Sequence, residues 1–321
     1  MDDATQLFGR RFEVMATGAE VLVWSGDQQR AASMFDVVEQ ELHRLSERLT
    51  RFDPGSDLER LNDAGGGAVS ELLGELLRQA ERATEQTGGR FDVGLGAELV
   101  AAGYDRTFGE LDVVPEDERT RIEQLEPADA VQLAAPTTRA PSFRLLDDGT
   151  VRIEPGRRID LGGIAKGWAA DDACRALATM LGASCLVNLG GDIAVQVVDG
   201  GEPWPIGVAG VPGDTAHTVG LAFGGLATSS QDRRVWRAGS VRAHHVIDPR
   251  TGVSARTDVQ RVTVIHASCM EAEVWTKALM LVGMDAAVAE ARERDLTVCL
   301  CSTAGEERWT GMLASLDPPS R

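Results

Sequence analysis

A change of apolar period that recurs along the chain is the feature that most constrains its fold. Residues 12–24 are rich in Val and alternate loosely, as a strand does, and Gly26 then opens a polar turn. From Ala31 to Leu49 the apolar residues Met34, Val37, Val38, Leu42, Leu45 and Leu49 recur at three- and four-residue steps, which predicts an amphipathic helix. A second helix is expected over 72–87, closed by Gly88-Gly89. Strand, helix, strand, strand is then predicted over 151–159, 165–181, 185–189 and 193–198, with Gly190-Gly191 between the last two. A strand at 262–266, a helix at 269–282 capped by Ser268 and a final strand at 296–302 complete the pattern. No repeat and no break in composition divides the chain, so the expected fold is α+β, a single compact domain over 1–321. Residues 108–142 are acidic, Pro-containing and weakly periodic. They are expected to form a surface excursion that carries no site chemistry.

Composition narrows the ligands. A hydrophobic content of 43% is ordinary for a globular core. A net charge of −18 opposes nonspecific attraction to phosphate backbones, so no nucleic-acid partner is expected and any phosphate ligand must be held locally. No apolar run reaches the roughly 18 residues of a membrane span, and residues 1–11 have neither a basic nor an apolar leader segment, so a cytoplasmic protein with no membrane partner is expected. Cys174, Cys185, Cys269, Cys299 and Cys301 are odd in number, with no CxxC and no histidines at ligand spacing. Buried free thiols are expected rather than disulfides or zinc. Of the 32 Lys plus Arg, only Lys166 and Lys277 are lysine. A chain drawn this far toward Arg should keep Lys mainly where a compact ammonium cannot be replaced by a guanidinium fork, although two exposed lysines could also survive by chance.

Five segments could carry chemistry. Asp160-Leu161-Gly162-Gly163-Ile164-Ala165-Lys166-Gly167 runs from a strand into a helix start, where bare backbone N–H groups and a lysine suit an anionic group such as phosphate. The same residues would also make a plain strand-to-helix turn, and the P-loop spacing is absent. Asn188-Leu189-Gly190-Gly191-Asp192 is a second glycine-acid loop, or simply a hairpin. Ala227-Thr228-Ser229-Ser230 presents hydroxyls, and His244-His245 precedes the turn Asp248-Pro249-Arg250-Thr251-Gly252. A histidine there can accept a proton near neutral pH or be structural. Glu273 and Lys277 stand four apart on one helix face. As an exposed pair they would contribute only about 0.3–0.5 kcal/mol, but the apolar residues around them point to a buried or ligand-facing pair.

Taken in order, these segments resemble the ApbE-type FAD:protein FMN transferases over about 12–283. Met15-Ala16-Thr17 is similar to the family's Met-Gly-Thr, and the segment from Arg51-Phe52-Asp53 to Asn62 to its flavin-side segment. Gly89-Arg90-Phe91-Asp92 matches Gly-x-Phe-Asp; residues 160–167, 188–192, 227–229 and 245–252 match successive later motifs. The resemblance implies a T-fold-like mixed sheet and helix domain. It implies FAD bound near Met15, Phe52, Arg90, Phe91, Asp92, Asp160 and Lys166, with Gly190, Gly191, Asp192, Thr228 and Ser229 in the motifs beside it. It further implies cleavage of the FAD diphosphate, passage of FMN to a Thr or Ser hydroxyl of an acceptor protein, release of AMP, Mg²⁺ on the diphosphate oxygens, and His245 as base.

The resemblance also exposes departures. The family's metal helix Asp-x-x-x-Thr falls on Glu273-Val274-Trp275-Thr276-Lys277, so a metal ligand is replaced by a cation. Two arrangements are open. In one, Lys277, held by Glu273, fills the space of Mg²⁺; in the other, Glu273, Thr276 and a backbone carbonyl near Gly163 hold the ion. Ala16 for Gly, and Ser230 for the Gly of Thr-Ser-Gly, add bulk beside the ligand. Activity would then be transfer to a cytosolic acceptor. The alternative is an FAD-binding protein of the same fold that carries flavin, serves a redox role, or hydrolyses FAD to FMN and AMP.

Overall fold

The computed structural model describes residues 5–115, 141–208, 210, 217–238 and 241–312. Strands β1 (Gln6–Val14) and β2 (Thr17–Ser25) pair antiparallel, with Val14 opposite Thr17. The one strand expected over 12–24 is therefore parts of two, reversing at Met15 and Ala16, whose φ angles of 52° and 55° make the two-residue turn. Neither residue type favours positive φ, so the reversal had no local signature. Helix α1 (Gln28–Leu49) follows, with Asp27 accepting from the Arg30 N–H at 2.9 Å as its N-cap. It buries Ala31, Phe35, Val38, Leu42, Leu45 and Leu49. Val37, which fits the same stripe by spacing, is exposed.

Helix α2 (Asp57–Ala64), strand β3 (Gly66–Ala68), helices α3 (Glu71–Gln86) and α4 (Gly96–Ala101), and strands β4 (Phe143–Leu145) and β5 (Thr150–Ile153) build the side of the molecule beside α1. The strand predicted over 151–159 stops at Ile153. Pro155 and Gly156 make a turn there, closed by Arg157 N–H to Glu154 O at 3.0 Å. Ile159 continues without strand partners, its backbone N–H and C=O both bonded by the buried Asn62 side chain, at 2.7 and 2.9 Å. Of the excursion expected at 108–142, residues 116–140 lie outside the described residues. Its described flanks pack on the body: Val114 is buried and donates to Val235 O at 3.1 Å, and Ser142 is buried as well.

The remaining elements are α5 (Ala165–Leu181), β6 (Cys185–Leu189), β7 (Asp192–Gln196), β8 (Trp204–Val208), β9 (His217–Leu221), β10 (Phe223–Ser230), β11 (Val235–Ala238), β12 (Val241–His244), β13 (Val259–His266), α6 (Cys269–Met280), α7 (Met284–Glu293), β14 (Thr297–Ser302) and β15 (Glu307–Trp309). Eight strands form one sheet in the order β1-β2-β6-β7-β10-β13-β14-β15, antiparallel throughout. Helices α1, α5 and α6 pack on it, and a separate apolar cluster joins Leu186, Val195 and Leu226 of the sheet to Trp204 and Ile206 of the β8-β9 hairpin.

Two close approaches set the geometry of the site. A Cβ at Gly167 would lie 2.7 Å from Cys269 O and from Met270 Cα, so a bare backbone there is what lets α5 meet the start of α6. Helix α6 is buried nearly all round, and two of its polar side chains, Glu273 and Thr276, are 1% and 0% exposed. Buried polar groups of this kind need partners, and the site supplies them.

Candidate active site

A cavity of about 310 Å³ opens between the end of α1, the 90–95 segment, the 160–166 loop and the 245–247 segment. Met15, Phe52, Arg90, Phe91, Asp92 and Asp160 all line it, as do Gly163, Lys166, His245 and Lys277. Segments separated by more than 250 positions in the sequence thus meet on one wall. Phe52 and Tyr104 stand with ring centroids 5.7 Å apart, and the Arg51 guanidinium lies 4.2 Å and 4.7 Å from the two rings. Arg51 Nε donates to Asp160 at 2.5 Å and its other end to Tyr104 O at 2.7 Å, so the first residue of the 160–166 loop is tied to the aromatic wall. Asp92 is held by the Gly94 N–H at 2.8 Å and by the Ser142 hydroxyl at 2.6 Å. Ser142 belongs to the stretch from which no site chemistry was expected; it acts here by fixing a lining carboxylate. Arg90 lines the cavity but is clamped by Glu290 of α7 at 2.5 and 2.6 Å, so its charge is already paired.

Behind the loop lies an ion cluster. Lys166 Nζ sits 2.7 Å from Asp192 and 2.5 Å from Glu273, with Gly162 O at 3.4 Å, which occupies its three N–H donors. Glu273 accepts from the Gly167 N–H at 2.9 Å through its other oxygen, and Lys277 Nζ lies 3.4 Å from the carboxylate and 3.0 Å from Glu273 O. Burial alone would raise the Glu273 carboxyl, but the charges of Lys166 and Lys277 and their hydrogen bonds bring it down to about 2. Burial works against the Lys166 ammonium, yet Asp192 and Glu273 more than offset it and raise its pKa. Lys277 is lowered, because burial and the repulsion of Lys166 outweigh its single close carboxylate.

The donor set does not fit a divalent ion. Among the described residues no group of three or more His, Cys, Asp or Glu is placed to hold a metal. Both Glu273 oxygens are engaged as described. Thr276 donates to Glu273 O at 2.7 Å and shares a hydrogen bond with Ser229 Oγ at 2.6 Å, fully buried. A Cβ at Gly163 would meet Lys277 Cε at 3.1 Å and Phe91 at 3.2 Å, so the lysine stem lies directly on the loop where a backbone ligand would be needed. A hard cation wants several free oxygens, and here an ammonium faces them instead.

His245 lines the cavity with a partly buried ring whose Nδ1 has no hydrogen-bond partner. Burial first, then the positive charge of Arg234, lowers its pKa well below 6.5, so it is neutral and able to accept a proton. Its neighbour His244 is structural: Nε2 lies 2.8 Å from Ala255 O and Nδ1 accepts from the Val246 N–H at 3.3 Å.

Gly190, Gly191, Asp192, Thr228 and Ser229 do not line the cavity. Gly190 and Gly191, with φ of 68° and 102°, form the β6-β7 turn, which leaves Asp192 behind Lys166. Thr228 pairs with Thr263 across β13 at 2.9 Å, and Ser229 reaches Thr276. Asp192 thus backs the loop through Lys166, and Ser229 ties β10 to α6. Among the lining residues that carried no assigned role in the sequence are Arg51, Tyr104 and Arg234. Tyr104 is the only tyrosine in the chain, and the rarity that marked the two lysines marks it too. Arg234 is one arginine among many and had no signal.

An aromatic wall facing a glycine loop, with a buried ion cluster behind it on one α+β domain, forms a site suited to a flat-ringed ligand. Comparison with known proteins makes this specific. A family model described as the ApbE family matches residues 15–300. The chain belongs to the ApbE family. The FAD:protein FMN transferase of Escherichia coli strain K12 is 25% identical over 295 residues, covering 89% of this chain and 81% of that one. That of Treponema pallidum strain Nichols is 29% identical over 310 residues, covering 89% and 82%. Among solved structures, the ApbE protein of Thermotoga maritima superposes with a TM-score of 0.80 at 25% identity, covering 98% of this chain and all of that one. The apo flavinyl transferase ApbE of Pseudomonas stutzeri gives 0.77 at 22%, covering 99% and 98%, and shows the shared fold.

Proposed function

We propose that this chain is an FAD:protein FMN transferase that moves FMN from FAD to a Thr or Ser hydroxyl of an acceptor protein and releases AMP. The observation that carries the reading is the convergence on one cavity of the Phe52-Tyr104 wall, the Asp160 to Lys166 loop and His245. The rings offer stacking surface to a flavin or adenine, Asp92 offers an acceptor to a ring N–H, and the loop backbone faces the diphosphate. In the transfer, the acceptor oxygen bonds to the FMN-side phosphorus while the bond from that phosphorus to the bridging oxygen breaks. AMP leaves with the bridging oxygen and its electron pair, and the hydroxyl proton passes to His245. Mg²⁺, which the family resemblance implies, has no part in these steps, because Glu273 and Thr276 already bond within the fold. A cytoplasmic location and a cytosolic acceptor belong to the same proposal; five buried, unbridged cysteines suit a reducing compartment.

The test is to incubate the purified protein with FAD and a soluble extract, follow AMP by chromatography, and look for flavin fluorescence that stays on a denatured acceptor. AMP together with covalent flavin is the expected result. AMP with only free FMN would make the protein a hydrolase, and bound FAD with no AMP would make it a flavin carrier; either outcome overturns the transferase reading.

A further inference from the structure

We propose that the cation for the FAD diphosphate is built into the chain: Lys277 occupies the place of a divalent ion, Arg234 supplies the unpaired positive charge, and FAD is held without metal. This deepens the transferase reading and rests on its claim that the cavity takes FAD.

The charges decide between one cation and two. Lys166 is enclosed by Asp192 and Glu273, and all of its N–H groups are occupied, so it cannot neutralise a ligand without leaving them. Two carboxylates against one ammonium leave the cluster one negative charge over. Lys277, the second ammonium, balances it and stands on the cavity side, with two of its three donors directed at Glu273. Up to this point the cluster is neutral, which explains how it can be buried. It offers no net attraction to a diphosphate that carries two negative charges.

Arg234 changes that balance. It lines the same cavity, is partly buried, and among the described residues has no ion pair or hydrogen bond, unlike Arg51 and Arg90 on the same wall. Its positive field is felt at Lys166, at His245 and at Tyr104, which places its charge among the loop, the base and the aromatic wall. A guanidinium suits two phosphate oxygens because its N–H groups form a planar fork. Lys277, lying on bare Gly163, meets the same loop as a point charge from the other side. Both charges belong to the chain rather than being recruited from solution.

The inference is tested by binding, which needs no acceptor. FAD and riboflavin are titrated by fluorescence into the wild type, Lys277→Met and Arg234→Gln, each in EDTA and in excess Mg²⁺. The expected result is a wild-type FAD affinity that is the same in both buffers. Each variant should lose about tenfold or more for FAD, the scale of a hydrogen bond to a charged group, and keep its affinity for riboflavin, which has no phosphate and reports an intact cavity. Mn²⁺ titrated into the wild-type FAD complex and followed by electron paramagnetic resonance should stay free, whereas the double variant Glu273→Asp/Lys277→Thr should bind it.

A wild-type affinity for FAD that rises tenfold with Mg²⁺, or Mn²⁺ captured by the wild-type complex, would overturn the built-in cation and leave the transferase reading standing. Equal losses for FAD and riboflavin would overturn the role of Arg234 and Lys277 as diphosphate cations. Failure of wild-type FAD to bind in either buffer would overturn both readings.

Discussion

Glu273→Gln should remove more stability than any surface change. Glu273 is 1% exposed and holds Lys166 at 2.5 Å, Lys277 at 3.4 Å and the Gly167 N–H at 2.9 Å. Those partners outweigh the penalty of burial and carry the carboxyl from 4.5 down to about 2. A depression of that size corresponds to about 3 kcal/mol of stability at neutral pH. The range for removing one partner of a buried pair, about 3–5 kcal/mol, begins at the same figure. The sign follows from the direction of the shift. Above 4.5 the folded and unfolded carboxyls are both ionised and the full contribution is present; as pH falls toward 2, the unfolded chain takes up the proton first and the contribution is lost. The amide cannot titrate. Urea denaturation of both proteins at pH 7 should therefore show a gap of about 3 kcal/mol that narrows by about 1 kcal/mol at pH 4. A gap under about 1 kcal/mol at pH 7, or one that does not change with pH, would refute the claim that the ionised Glu273 holds the cluster together.

Other perturbations test other links. His245→Gln should leave FAD affinity nearly unchanged while AMP release falls by about 10²–10⁴, the usual contribution of a positioned base; retention of most turnover would remove His245 from the chemistry. Gly167→Ala drives a Cβ into the backbone of Cys269 and Met270 and should cost at least about 1–3 kcal/mol, read as a lower melting temperature together with weaker FAD binding. Asn62→Ala strips the partners from both backbone groups of Ile159, next to the cavity loop, and should cost about 2–3 kcal/mol in urea; an unchanged midpoint would show that water replaces the amide. Burial holds His244 down at about 4 against 6.5 unfolded. The wild type should thus lose about 3 kcal/mol as pH falls from 6.5 through 4, when the unfolded chain binds the proton, and His244→Gln should lack that component of the acid slope.

Periodic segments were legible in the sequence and special backbone was not. The helix Ala165–Leu181 and the strand Cys185–Leu189 stand at their expected limits, because a repeated apolar spacing and a flanking glycine or serine mark both ends. The Met15-Ala16 reversal escaped because neither residue type signals the positive φ that its two-residue turn adopts. Val37 has the spacing of the α1 stripe and faces out, since the buried arc runs through Phe35 and Val38 instead. At the site, rarity was the readable signal: both lysines meet in one ion cluster, while Arg234, a cation lining the same cavity, was hidden among the other arginines. Composition therefore reveals a functional residue only when its type is scarce elsewhere in the chain.

That scarcity has a physical cause in the cluster itself. Lys166 reaches two carboxylates and a carbonyl from one tetrahedral nitrogen, at 2.7, 2.5 and 3.4 Å, in a space narrowed by the contact of α5 with α6 at Gly167. A guanidinium presents its donors in a plane and is several atoms wider, so it could satisfy one carboxylate bidentately but not three acceptors arranged around a point. Lys277 faces a similar limit: its stem passes over Gly163, where a Cβ would already lie 3.1 Å from Cε, and its nitrogen must stay within reach of Glu273 O. Where a planar fork finds partners or space, at Arg51 on Asp160 and Tyr104 O, at Arg90 on Glu290 and at Arg234 on the cavity wall, the chain uses arginine. Lysine persists where charge must be packed around Glu273 at the contact of α5 with α6, and arginine stands where a planar fork can be accommodated.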